Sequence, residues 1–257
     1  MSLETHISGA EDRLLDSLHF GGKNSASYVT DRRQVTFAPS SASSWKPSGV
    51  RLVRFNLADE SGWLDGRAVR LFFTLTNLHP TAALDPICDS PSGMIRRVRV
   101  IANGSSVIED IEDYGRVAQI FTYLLPSNRR MGNVGEGWGG SSTVPTFGNT
   151  VPQSNIPGDN SRQVGMSFLS PFLNQGKYIP LHMLPLTIEL ELADADTAFM
   201  GAGNTWEITR PRLLASVATL DNALANSYAQ HLLQGKSLPF YCDGFYSIKA
   251  AVTSTSI

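Results

Sequence analysis

The chain has 257 residues and a mass of 27.9 kDa, with 42% hydrophobic but only 17% charged residues. Lys+Arg 21 against Asp+Glu 23 gives a net charge of −2, which argues against a general nucleic-acid binder, because that affinity rests on clustered basic charge. Cys88 and Cys242 make no disulfide framework and weakly fit a reducing compartment, no apolar run approaches a membrane span, and Met1 to Asp16 lacks the pattern of a signal peptide. The length is generous for one domain and short for two, although an all-β sandwich can use all of it. The low charge suggests a surface that packs against other chains, since interface cores are depleted in charge.

Glu11 to Phe20 carries a short amphipathic pattern, with Leu14, Leu15 and Leu18 on one face. A frayed terminal turn is preferred there over a helix docked on a neighbour or a membrane surface. Strand signals begin at Arg33–Phe37, and a Ser/Pro-rich loop around Trp45 follows. Val50–Leu57 alternates, Asp59–Gly62 reads as a turn, and Val69–Asn77 is β-branched and aromatic. Ile95–Ile101 ends at the turn dipeptide Asn103-Gly104, with Ser105–Ile108 as the return strand of a hairpin.

Asp110 to Leu125 changes period: Ile111, Tyr114, Ala118, Phe121 and Leu125 recur at helical spacing before Pro126. Ser127 to Arg162 is then Gly, Ser, Asn and Pro with Trp138 and Phe147, a length that marks a functional or mobile loop. Strands resume at Gln163–Leu169 and Tyr178–Leu192, where Leu186, Ile188, Leu190 and Leu192 point one way. Trp206–Arg210 and Leu213–Leu220 give one or two more. About eight short strands with long loops predict an all-β sandwich or jelly roll. A second helix places Leu224, Tyr228 and Leu232 at i, i+4, i+8 and ends at Gly235; Phe245–Val252 opens another strand.

Motifs for chemistry are thin. Gly235-Lys236-Ser237 resembles the end of a phosphate loop, but Gln230 stands where that loop needs glycine and the helix precedes it, so it reads as a helix C-terminus. Gly132 to Gly140 does not fit a dinucleotide fingerprint. His6, His19, His79, His182 and His231 have no partners at metal-ligand spacing, and no serine sits in a nucleophile elbow. Asp194 and Asp196, or Asp110, Glu112 and Asp113, fit turn and helix-start chemistry better than acid–base work. Asn103-Gly-Ser105 matches a glycosylation sequon but reads as a turn. In Arg96-Arg97-x-Arg99, Arg97 and Arg99 are expected to share one strand face and Arg96 the other. A solvated face or inter-subunit ion pairs are preferred there over a phosphate contact. No catalytic, cofactor or metal residue is expected, and the chain is not expected to be an enzyme.

Three segments together resemble the double jelly-roll major capsid proteins of polinton-like viruses and virophages: Trp45 to Asn77, Ile179 to Leu190, and Ala225 to Phe240. The resemblance implies a viral jelly-roll β-sandwich with two short helices, acting as the structural subunit of an icosahedral capsid. It implies residues 1–30 as an N-terminal arm, 31–220 as a first jelly roll, 221–240 as a connecting helix and linker, and 241–257 as the opening strand of an incomplete second jelly roll. It further implies trimeric capsomers in a capsid lattice within the virion, with contacts to minor capsid proteins, no specific nucleic acid, no cofactor, and membrane contact only through the arm. Ser127–Arg162 would be an exposed tower loop or a loop at a contact within the trimer.

Trp45, Trp63, Trp138 and Phe147 are candidate interface anchors, because large aromatics are enriched where chains meet, with packing on the barrel itself as the alternative for each. Arg96, Arg97, Arg99 and Tyr228 are further interface candidates. The second reading is a β-sandwich module that binds carbohydrate or protein through the same loop aromatics. A jelly-roll enzyme is the third and weakest, since it needs a titratable cluster inside the barrel.

Overall fold

In a computed structural model of the chain, residues 29–40, 42–86, 90–124, 137, 155–200 and 205–245 are described. In chain order the elements are β1 (Val29–Phe37), β2 (Ser44–Trp45), β3 (Leu52–Leu57), β4 (Gly62–Asn77), β5 (Asp85–Pro86), β6 (Ile95–Ala102), β7 (Ser106–Ile111) and α1 (Tyr114–Leu124). They continue with β8 (Ser161–Ser167), α2 (Pro171–Asn174), β9 (Ile179–Pro180), β10 (Leu186–Leu192), α3 (Ala195–Ala198), β11 (Phe199–Met200), β12 (Trp206–Leu220) and α4 (Asn222–Leu233). A 3-10 turn at Pro91–Met94 precedes β6.

Alternating apolar and polar side chains build two antiparallel sheets, because successive residues of a strand point to opposite faces. Val53, Phe55 and Leu57 of β3 turn inward with Leu186, Ile188, Leu190 and Leu192 of β10. The first sheet has the order β1-β12-β4-β8, with β2 on β12 and β9 on β4; the second has the order β3-β10-β6-β7. Of the eight long strands among the described residues, the first pairs with the last, the second with the seventh, the third with the sixth and the fourth with the fifth. One antiparallel hairpin has thus been rolled into a two-layer barrel, the topology of a jelly roll. The core lies between the layers, where Phe55, Leu57, Leu64, Leu75, Val98, Val100, Ile188, Leu213 and Val217 are fully buried.

Several boundaries differ from the sequence reading. β1 begins at Val29, four residues before the expected start, and its N-terminal half is exposed on both faces. The turn expected at Asp59–Gly62 ends where β4 begins, and Gly62-Trp-Leu-Asp65 is already strand. Gly66 lets α2 cross this strand: a Cβ there would lie 2.2 Å from the Leu173 carbonyl oxygen. β12 is one strand that carries Pro211 through a bulge, with Arg210 at φ 50 and the register shifting between Thr209 and Arg212. The helix expected from Asp110 starts at Tyr114, because Ser106–Ile111 belongs to β7. Asp113 turns the chain between them at φ 49, and its carbonyl accepts from the amides of Arg116 (2.8 Å) and Val117 (3.1 Å). α4 has the expected ends: the Asp221 carboxylate accepts from the Ala223 amide at 3.0 Å, and Gly235 takes φ 75.

Asn77 ties the barrel's loops at one end. It is fully buried, and its Nδ2 donates to the carbonyls of Ala82 (2.8 Å), Ile156 (3.0 Å) and Pro157 (3.2 Å), while Oδ1 accepts from the His79 amide (3.0 Å). Asn77→Ala would remove all four of these hydrogen bonds and leave a void at a fully buried position, with the Ile156 carbonyl held only by the Leu84 amide. It is expected to cost about 3 kcal/mol, a fall of roughly 6–12 °C in Tm by calorimetry.

Candidate interaction surfaces

The residues that alternate away from the core give the second sheet a charged outer face. Arg54 of β3, Glu189 of β10, Arg99 of β6 and Asp110 of β7 stand opposite one another in register. Glu189 is only 3% exposed and takes two guanidinium groups: Arg54 donates from Nε to Oε1 at 2.7 Å, and Arg99 Nη2 lies 2.6 Å from Oε2. Arg97 forks onto Asp110 through Nε (2.7 Å) and Nη2 (2.5 Å) and reaches Glu112 at 3.5 Å. Its hydrogen bond to Asp110 holds the guanidinium above the ordinary arginine range. Arg96 reaches Glu191 at 3.5 Å and Arg51 reaches Asp194 at 2.8 Å. Arg96 does not take the inner face that strict alternation predicts. The register shifts between Glu191 and Leu192, Ile95 turns inward, and both Arg96 and Arg97 stay outside the core.

The aromatic candidates separate. Trp45 is 1% exposed, and its indole N–H donates to the Leu52 carbonyl at 3.0 Å, so it packs in its own barrel and presents no area to a partner. Trp63 is 7% exposed and sits between Tyr228 of α4 (ring centroids 5.2 Å apart) and His182 (5.9 Å). These rings pin α4, which has no fully buried residue, to the barrel. Trp138 and Phe147 lie outside the described residues, as does most of the Ser127–Arg162 loop.

The chain after α4 turns back over the barrel. Lys177 Nζ donates to the Pro239 carbonyl at 2.9 Å and lies over the Tyr241 ring, Phe240 meets Phe172 of α2, and Phe245 meets Phe121 of α1. Beyond Phe245, the expected opening strand lies outside the described residues.

Sequence reading missed one polar centre. Glu109 is buried on the core side of β7, where it accepts from the Ser170 hydroxyl and the Phe172 amide. Ser170 Oγ in turn caps α2 by accepting from the Leu173 amide at 3.1 Å. Burial pushes the Glu109 carboxyl above the ordinary range despite these bonds. Nearby, Tyr114 is fully buried and accepts from the Leu169 amide at 2.8 Å; burial pushes its phenol up to about 12. The signal was present in the spacing: Glu109 lies two residues before the inward-facing Ile111. Among the described residues no group of three or more His, Cys, Asp or Glu is placed to hold a metal ion, and no helix is long and apolar enough to cross a membrane.

No protein-family model and no curated protein matches this chain. Among solved structures it is similar to the PBCV-1 virus capsid, at 10% identity and a TM-score of 0.50, over 82% of this chain and 48% of that one. It is also similar to the Sputnik virophage structure (13% identity, TM-score 0.48, 80% of this chain and 52% of that one). A third match is the STIV MCP (12% identity, TM-score 0.39, 80% of this chain and 52% of that one). The chain therefore spans about half the length of the chains it matches. The PBCV-1 likeness shows a shared jelly-roll fold.

Two outcomes are expected. Unfolded, Glu109 titrates in the ordinary carboxylate range; folded, it titrates higher. Between those values only the folded state holds the proton, so this residue's contribution to stability improves as pH falls through its folded pKa. By urea denaturation, the stability of Glu109→Gln relative to the parent should be greater at about pH 7 than at about pH 5. Tyr228→Ala should cost about 1 kcal/mol, shift Trp63 fluorescence to the red and speed amide exchange in α4.

Proposed function

We propose that the chain is a structural subunit of a viral capsid, with no enzymatic role. The observation that carries this reading is the complete first-to-last strand pairing of the barrel, taken with its likeness to the PBCV-1 capsid. Capsid building asks a subunit for a rigid block with faces that other blocks can meet. A jelly roll suits this, because its strands are locked in two packed layers while its long connections gather at the ends. Here the outer face of the second sheet holds its charges in cross-strand pairs, which removes much of the desolvation cost when another surface covers them.

In this reading the barrel corresponds to the first of two jelly rolls, and capsomers are trimers that tile an icosahedral lattice in the virion. The span of 48% of the PBCV-1 capsid chain supports the two-barrel arrangement. α4 and residues 236–245 serve as the connection toward the second barrel. Residues preceding β1 contact the inner shell, a minor capsid protein or a membrane. The glycan-binding alternative is weaker, since Trp45 and Trp63, half of its stacking platform, are packed inside the chain.

Sedimentation velocity and cryo-electron microscopy of the purified chain test the proposal. Trimers or larger closed assemblies are the expected result. A species that stays monomeric at every concentration and binds specific glycans on an array would overturn it.

A further inference from the structure

On the outer face of the second sheet, guanidinium groups outnumber their carboxylate partners at one place. Arg97 has Asp110 and Glu112, Arg96 has Glu191, and Arg51 has Asp194. At Glu189, by contrast, two guanidinium groups share a single carboxylate. Asp110 stands opposite Arg99 in register but is committed to the Arg97 fork, so it does not make up the difference. Glu112 is held at Arg97, so a local surplus of one positive charge remains around Glu189, on two side chains that are still 49% and 32% exposed. Arg54 uses Nε and Nη2 toward Glu189 and Arg99 uses Nη2, which leaves the Nη1 groups of both without a partner among the described residues.

These two arginines border a concavity of about 500 Å³ whose walls include Asn56, Thr187, Ile101 and Val107 and whose rim is the β6–β7 turn at Gly104-Ser105. Val107 is 50% exposed, so the charged floor stands beside an aliphatic wall.

We infer that this concavity receives an acidic side chain from a partner polypeptide: its carboxylate bridges Arg54 and Arg99, and its aliphatic stem lies on Ile101 and Val107. The bridge converts a two-to-one cluster into a two-to-two cluster, so every charge has a counter-charge once water is excluded. A nucleic-acid backbone fits less well. Polyanion binding draws on many neutralised phosphates, whereas this site offers one surplus charge on a chain of net charge −2. A free inorganic anion would not use the apolar wall. The inference stands on this charge geometry and goes beyond the capsid reading.

The test titrates the isotope-labelled chain with three probes: acetyl-Leu-Glu-Leu-amide, its Gln counterpart acetyl-Leu-Gln-Leu-amide, and inorganic phosphate. NMR follows the arginine Nε–H signals of Arg54 and Arg99 and the amides of Ile101 and Val107. The acidic peptide should shift all four, and the Gln peptide should bind about fivefold more weakly or worse, as loss of a partly exposed ion pair predicts. Arg54→Gln leaves Glu189 paired one-to-one with Arg99; it should remove the preference for the acidic peptide, and Arg99→Gln serves if that variant folds poorly. Equal binding of both peptides, no response to the acidic peptide, or an unchanged preference in the variants would overturn the inference. So would arginine shifts with phosphate alone, which would mark a site for free oxyanions.

Discussion

The whole barrel depends on β12 being paired on both edges. It takes β1 on one side and β4 on the other, and without β1 the first sheet would end at β12 over residues 213–220. The contact is long-range: the Thr30 hydroxyl bonds the Thr219 carbonyl across a separation of 189 residues. Closing such a loop costs chain entropy that local contacts do not repay, so this pairing must be supported by everything between the two strands. The nested order supplies that support. β6 and β7 form an adjacent hairpin, and each further pair encloses the one before it. Apolar side chains on every layer meet only when the nesting is complete, which makes the fold cooperative and slow to assemble by the usual relation between contact order and rate.

The parts of this fold that were legible in the sequence are those where period and burial agree. β3 and β10 alternate cleanly because each has one apolar face in the core and one polar face outside it, where Arg54 and Arg99 cover Glu189. The start of β4 was hidden by turn-like composition around Ser61 and Gly62, yet glycine serves there because Val217 and Asp59 crowd it. β12 looked divided because Pro211 interrupts it, and a bulge absorbs the interruption. The β7–α1 junction was blurred because Ile111 and Tyr114 are both buried, one on a strand and one on a helix, so a single helical period fits both. Among the surface candidates, the arginine cluster was visible as composition. Its carboxylate partners are distant in sequence, and the bulge that turns Arg96 outward depends on pairing with β10. Trp45 was read as a loop aromatic and is a core residue, because the short bridge of β2 to β12 draws the loop inward.

The low charge content takes a more specific meaning from the structure. Among the described residues, six of the eight ion pairs lie on or beside the outer face of the second sheet, while the first sheet has Arg33 with Asp59 and Lys46 with Glu207. Paired charges give direction to a contact without the full penalty of burying lone ions. A block-like protein can thus carry an apolar interior, a sparse exterior and one electrostatically patterned side within a modest number of ionisable residues.

The segment after α4 has a mechanical consequence. β12 leads directly into α4, so tension on the following chain would otherwise peel β12 away from its neighbours one bond at a time. Trp63 with Tyr228, Lys177 with Pro239, Phe172 with Phe240 and Phe121 with Phe245 stand in that load path. A pull is therefore taken up first by side-chain clasps spread over three helices, and the hydrogen-bond ladder of β12 is loaded only after they yield. The barrel is strain-relieved at its exit, much as a cable is clamped before it reaches its terminal.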